Sequence, residues 1–243
     1  MISIYIPALN EEKHLKNTAL KIIEAANSLG GIPLDLIIVN DGSTDGTGEV
    51  IKELESKYSF IRSIHHPRNQ GLGQGLKEAI ATAKYPRFSI ISGDDPVSLD
   101  SIKLLFHHRD KADVIFLYMM NNEIRGRKRL ILSRMFSLIY IIVFNIYVQY
   151  INGGCMYPTE RLRTFHIQSK RFSYMAEMAV KCLRSGCSYY EIPYYETRGL
   201  EGSTSFSFKN FREVVTTFFK LYYEIYFSHK SLFDKTPIRV KDE

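Results

Sequence analysis

Cysteine is scarce in this 243-residue chain, and its three copies, Cys155, Cys182 and Cys187, form no CxxC pair and keep no His-rich spacing. That argues against a structural zinc site or a disulfide framework and points to a reducing, cytoplasmic compartment. No basic leader or cleavage motif stands before Pro7, so a secretory signal is not expected. The pattern G-x-x-x-x-G-K-[ST] is absent, which excludes a phosphate-binding P-loop. An EF-hand counted from Asp41 would need an acid at its twelfth position, where Lys52 stands. The cluster Gly71, Gly73, Gly75 lacks the third glycine of a dinucleotide fingerprint, with Leu76 or Glu78 in its place, which argues against a Rossmann dehydrogenase. No basic helix interleaved with stacking aromatics occurs, so nucleic acid is not an expected partner.

What is present suits a folded α/β protein. Hydrophobic residues make up 45%, enough for an extensive core, and 32 basic against 26 acidic residues give a net charge of +6 that favours anionic partners. Over residues 1–120, short apolar runs at Ile2 to Pro7, Leu34 to Asn40, Phe60 to His65, Phe88 to Ser92 and Asp113 to Tyr118 read as strands separated by helices. The first helix carries Leu15, Ala19, Ile22, Ala26 and Leu29 on one stripe, with Asn10, Glu11 and Glu12 suited to its first turn and Gly30 and Gly31 at its end. Alternating strand and helix predict right-handed crossovers and a mostly parallel central sheet, whose ligands gather at the carboxyl ends of the strands. Three of the loops placed there read PALNEE at 7–12, NDGSTD at 40–45 and SGDD at 92–95.

In order along the chain, IYIPALNEE at 4–12, IIVNDGSTDGT at 37–47, NQGLGQGLKEAI at 69–80 and SGDDP at 92–96 resemble the family 2 glycosyltransferases of the GT-A, Rossmann-like fold. The similarity is to their polyprenyl-phosphate and dolichyl-phosphate branch in particular, and it continues more weakly through GGCMYPTERL at 153–162 and EGSTS at 201–205. The resemblance implies an inverting transfer of sugar from a nucleotide-diphosphate donor of UDP or GDP type, with a divalent cation, Mg²⁺ or Mn²⁺, as cofactor. It also implies that Asp41 accepts from the base and that Pro7, Ala8, Asn10, Glu11, Ser43, Asn69 and Gly71 line the nucleotide. Asp94 matches the second acid of the family's Asp-x-Asp metal motif, whose first acid is Ser92 here. Arg198 and Ser203 fall where the family binds diphosphate, with a spacing longer by one. Asp95 and Glu177 are the candidate general bases for a hydroxyl acceptor, whereas a lipid phosphate, already ionised, needs none. Residues 153–205 are expected to form the acceptor-side half of the same domain. A binder without turnover and a transferase acting on a soluble glycan are the competing readings. A nucleotidyltransferase would show a glycine-rich basic loop where ALNEE stands.

Residues 121–152 predict something else. Arg125, Arg127, Lys128, Arg129 and Arg134 precede or open an apolar stretch of 17 residues, MFSLIYIIVFNIYVQYI, interrupted by Asn145 and Gln149. A span typically takes about 20 residues, so amphipathic helices seated at a membrane surface, with the cations on lipid or acceptor phosphate, fit better than a crossing. Burial in the core or in a homo-oligomer interface is the competing reading. The aromatic segment 206–243, with Phe218, Phe219, Tyr222, Tyr223, Tyr226 and Phe227, extends the interfacial expectation. A peripheral position on the cytoplasmic, inner face of the membrane follows. The paired His65, His66, His107 and His108 read as solvated surface.

Overall fold

The computed structural model describes residues 1–95, 97–120, 127–151, 153–170, 173–195 and 208–241, with the helical backbone alone at 127–130 and 208–211. The elements run β1 (Ile2–Ala8), α1 (Leu15–Ser28), β2 (Leu34–Asn40), α2 (Thr47–Lys57), β3 (Ile61–His65), α3 (Leu72–Thr82), β4 (Arg87–Ile90), α4 (Leu99–His107), β5 (Val114–Met119) and α5 (Arg127–Phe144). They continue with β6 (Cys155–Pro158), α6 (Thr159–Arg163), α7 (Tyr174–Arg184), β7 (Ser188–Tyr194), α8 (Phe208–Tyr223), a π-helical turn at Glu224–Ser228, α9 (Lys230–Phe233) and β8 (Ile238–Arg239).

Among the described residues the strands form one sheet in the order β3-β2-β1-β4-β6-β5-β7-β8. Every pairing is parallel except those of β6, which runs antiparallel between β4 and β5. The five strands expected from the first 120 residues are all present, each within two residues of its expected ends. Alternation along them feeds two cores. Ile2, Ile4 and Ile6 of β1 pack with Leu15, Ala19 and Ile22 of α1 and with Phe106 of α4 on one face. Tyr5 of β1, with Ile37 and Val39 of β2, joins Leu76 of α3, Ala179 of α7 and Leu221 of α8 on the other. The fold is therefore the expected α/β one, a mostly parallel sheet between two helical layers.

Two local expectations are corrected. Asn10, Glu11 and Glu12 do not form the first turn of α1, which carries no acid; they precede it in a loop where Asn10 takes a φ of 59°. The apolar run at 135–151, expected to form amphipathic helices, is helical only as far as Phe144, where α5 stops. Asn145 adopts a φ of 50°, and Ile146, Val148 and Ile151 turn into the core. The helical part keeps an outer face, where Ile131, Met135, Leu138 and Ile142 are more than half exposed, and beyond it Tyr147 is exposed as well. The inner face of α5 meets α8 through Tyr140, Phe144 and Phe218, whose rings lie 5.2 and 5.5 Å apart across the two helices.

Candidate active site

The parallel strands β1, β2, β3 and β4 deliver their following loops to one edge of the sheet, and hydrogen bonds stitch those loops together. The Asn10 amide donates to Ser43 Oγ at 3.0 Å, and Asn10 Oδ1 accepts from the Thr44 amide at 2.8 Å. The Glu11 amide donates to Thr47 Oγ1 at 2.8 Å, and Glu12 Oε2 accepts from the Gly46 amide at 2.9 Å. The sequence PALNEE thus grips NDGSTDGT side by side. Gly93 closes the edge: its amide donates to Pro7 O, and a Cβ there would meet that oxygen at 2.8 Å.

Asp41 is the centre of the second stitch. Its Oδ1 accepts from the Gln70 amide at 2.8 Å and its Oδ2 from the Gly71 amide at 2.9 Å, while His66 Nδ1 sits 2.7 Å from Oδ1. His66 also reaches Glu78 at 2.9 Å through Nε2, so the imidazole bridges two carboxylates. This corrects the expectation of a solvated histidine, because His66 is buried and only its neighbour His65 faces outward. Gly42 permits the approach, with φ 77° and a hypothetical Cβ only 2.6 Å from the Arg68 carbonyl carbon. Asn69 and Gly71 are thereby drawn against the β2 loop.

Burial alone would lower the His66 pKa, yet the hydrogen bonds and charges of Asp41 and Glu78 outweigh it and raise the value above the usual 6.5. The raised value means the folded state holds the proton more tightly. The contribution is fully present below pH 6.5 and is lost as pH rises through the folded value. Urea midpoints of wild type should therefore decline as pH rises above 6.5, and His66→Gln should flatten that decline. An unchanged pH slope in the variant would remove the bridge from the account of stability.

The β4 loop supplies two adjacent acids with different surroundings. Asp95, with φ 59°, is buried and turned to α1, where Lys21 Nζ lies at 2.8 Å and Asn17 Nδ2 donates to it. Asp94 is part-exposed, but its Oδ1 is buried with no hydrogen-bond partner among the described residues. A buried carboxylate oxygen without a donor is costly unless something positive completes it. Glu11 registers the same deficit: burial, then the charges of Asp94 and Asp45, push its pKa up to about 7. Among the described residues no group of three His, Cys, Asp or Glu side chains is arranged to hold a metal ion. A hard cation satisfied by one or two carboxylates, phosphate oxygens and water is nevertheless the kind that Asp94 suits.

Glu177, a candidate base by sequence, lies buried in the first turn of α7. Its side chain is 1% exposed and accepts from the Gln168 and Ser169 amides at 2.8 and 2.9 Å and from Lys181 Nζ at 2.9 Å. Arg125, Arg198 and Ser203 lie outside the described residues, as do the side chains of Arg127, Lys128 and Arg129; Arg134 is exposed on α5. Sequence reasoning missed His66, Glu78 and the segment 168–170. For His66 a signal was present, since it follows β3 at the same sheet edge as the other loops.

A sheet edge where these glycine-bearing loops are stitched together around Asp41 and beside Asp94 fits the match to the Glycosyl transferase family 2 model, which covers residues 3–172. The chain belongs to that family. It is 26% identical over 113 residues to the glycosyltransferase GlyG of Streptococcus pneumoniae, covering 46% of this chain and 36% of that protein. It is 28% identical over 108 residues to a dolichyl-phosphate beta-glucosyltransferase of Trichomonas vaginalis, covering 43% and 33%. The chain therefore aligns with about a third of the length of these relatives. Among solved structures, glucosyl-3-phosphoglycerate synthase from Mycobacterium tuberculosis in complex with Mg²⁺ and uridine diphosphate superposes with a TM-score of 0.68 at 16% identity, covering 91% of this chain and 79% of that one. Staphylococcus aureus TarS in complex with UDP-GlcNAc gives 0.62 at 15% identity, covering 94% and 67%. At these identities the structural likeness speaks for the fold.

Proposed function

We propose that this protein is an inverting glycosyltransferase that moves a sugar from a nucleoside diphosphate, of UDP or GDP type, to a phosphate-bearing lipid at a membrane surface. The observation that carries the transfer reading is the Asp94 oxygen beside Glu11, buried without a hydrogen-bond partner among the described residues, at the edge where the loops after β1, β2 and β4 meet. The structural relative's complex with Mg²⁺ and uridine diphosphate supports the same donor class and cofactor. Asp94, with the donor's own diphosphate, would hold Mg²⁺ or Mn²⁺, and a bound cation would supply charge neutralisation on the departing diphosphate.

The chain's own residues do the positioning. Pro7, Ala8, Asn10, Glu11, Ser43, Asn69 and Gly71 shape the nucleotide cleft. Three of the four carboxylate lone pairs on Asp41 are engaged by His66, Gln70 and Gly71, leaving one on Oδ2 for a base N–H. The acceptor oxygen attacks the anomeric carbon from the face opposite the diphosphate, and the bond from that carbon to the diphosphate oxygen breaks with inversion. An ionised phosphate acceptor brings no proton to remove. Asp95 and Glu177, already engaged by Lys21 and Lys181, then serve as supports rather than bases. Arg198 and Ser203 remain the proposed diphosphate contacts.

The exposed apolar face supports the lipid acceptor over a soluble glycan. Among the described residues no helix is long and apolar enough to cross a membrane. Ile131, Met135, Leu138 and Ile142 of α5, and Phe219, Tyr223 and Phe227 from α8 and the turn after it, instead line faces suited to lying in an interface. Arg125, Arg127, Lys128, Arg129 and Arg134 would meet lipid or acceptor phosphate, placing the protein peripherally on the cytoplasmic face.

A thermal-shift series with UDP, GDP and their sugars, with and without Mn²⁺, tests the donor reading. Ligand at a hundred times its dissociation constant should stabilise the fold by about 2.7 kcal/mol, and no shift with any of them would defeat it. Flotation with anionic vesicles tests the surface reading. Binding should be salt-sensitive and weakened when Arg127, Lys128 and Arg129 become glutamine, whereas wild type left in the soluble fraction at every salt concentration would refute membrane docking.

A further inference from the structure

The segment 168–170 lies against the donor edge, and carboxylates from the C-terminal part of the chain hold it there. Lys170 O accepts from the Gly73 amide at 3.2 Å, and hypothetical Cβ atoms at Gly71 and Gly73 would meet Lys170 O at 2.7 Å and Ser169 O at 2.1 Å. The segment therefore packs directly on the start of α3, next to the Gln70 and Gly71 amides that Asp41 receives. From the other side, Glu213 of α8 accepts from Ser169 Oγ at 2.7 Å, from the Lys170 amide at 3.3 Å and from Ser173 Oγ at 2.9 Å. Glu224, in the π-helical turn, accepts from Gln168 Nε2 at 2.6 Å and pairs with the fully buried Lys181 at 2.9 Å. Glu177 completes the grip from α7 through the Gln168 and Ser169 amides.

Glu177 also holds Lys181 one turn along its own helix α7, whereas Glu213 reaches mostly across to residues 169–173. It is 40 residues beyond Ser173, outside the residues matched by the family model, and among the described residues it meets its own helix at Thr217 Oγ1, at 3.4 Å. A carboxylate that takes two donors from residues 169–170 and a third from Ser173, at the start of α7, holds the segment in place.

We propose that Glu213 is a positioning residue for the donor loop: by holding 168–170 against Gly71 and Gly73, it keeps the Gln70 and Gly71 amides on Asp41 and so sets nucleotide affinity from α8. The affinity part rests on the nucleotide reading above; the mechanical part does not. Helix α8 also bears the exposed Phe219 and Tyr223, so what covers that face acts on a helix latched to the donor edge.

The test joins two measurements on the full chain. Amide exchange over residues 69–75 should accelerate about tenfold in Glu213→Ala, the scale of losing a charge-assisted hydrogen bond, while exchange in α1 and β2 stays at the wild-type rate. Uridine diphosphate with Mn²⁺, titrated calorimetrically, should bind about tenfold more weakly, with Glu213→Gln recovering part of the loss because one acceptor oxygen remains. Ser169→Ala removes only the 2.7 Å bond and gives a milder version, a severalfold rise in exchange, should the first variant not fold. Wild-type exchange over 69–75 in the folded variants overturns the latch. Wild type that binds no nucleotide of any kind overturns the affinity claim together with the donor reading, and leaves the exchange result to decide the latch alone.

Discussion

Asp94→Asn is expected to lower sugar transfer by about a thousandfold, the scale on which removing a principal electrostatic stabiliser of a leaving group acts. The fold should survive it. Among the described residues Asp94 Oδ1 has no hydrogen-bond partner to lose, and the carboxylate's charge adds to burial in holding the Glu11 pKa up. Neutralising it removes that repulsion, so the nucleotide-free variant should melt at or above the wild-type temperature while the Glu11 pKa falls below about 7. Cation dependence of nucleotide binding should disappear with the rate. A variant that transfers sugar at the wild-type rate would detach Asp94 from the chemistry and leave Ser92 and its neighbours without a metal function to explain.

The contrast between Asp94 and Asp95 was legible before the fold was known, because successive residues leave the chain in opposite directions unless it turns. The structure turns there, with Asp95 at φ 59°, yet the two carboxylates still part, one toward α1 and one toward Glu11. Strands β1 to β5 were equally legible, since each is an apolar run bounded by turn residues. Strand β6 was not: four residues, CMYP, carry no period, and their antiparallel place between β4 and β5 is fixed by neighbours far off in sequence. The site divides the same way. Sequence order places loops on one edge, but it does not say that Asp41 is met by Gln70, Gly71 and His66, nor that Glu177 is spent on the amides of Gln168 and Ser169. Those are contacts across loops, and they depend on close approaches that only a few glycines permit.

Gly73→Ala measures how much depends on one such approach. The residue lies in α3 with no positive φ, so alanine would suit its backbone and, in an open helix, would add up to about 1 kcal/mol of stability. Here the added Cβ would stand 2.1 Å from Ser169 O, 2.9 Å from Lys170 Cα and 3.0 Å from the Ser169 carbonyl carbon, all backbone atoms that cannot rotate away. Relief requires the segment 168–170 to withdraw by more than 1 Å, roughly the difference between that contact and a normal van der Waals one. Withdrawal strains the bond from the Gly73 amide to Lys170 O and the grips of Glu177 and Glu213. Overpacking of this kind costs about 3 kcal/mol, which for a chain of this size lowers the melting temperature by roughly 6–12 °C. Gly48→Ala is the matched control. It too is a helical glycine, in α2, but its nearest neighbour is Asn40 Nδ2 at 3.8 Å, so the variant should be neutral or more stable than wild type. Equal melting temperatures for the two variants would mean that 168–170 does not rest on α3, and the account of the donor edge as a clamped, preorganised cleft would fail with it.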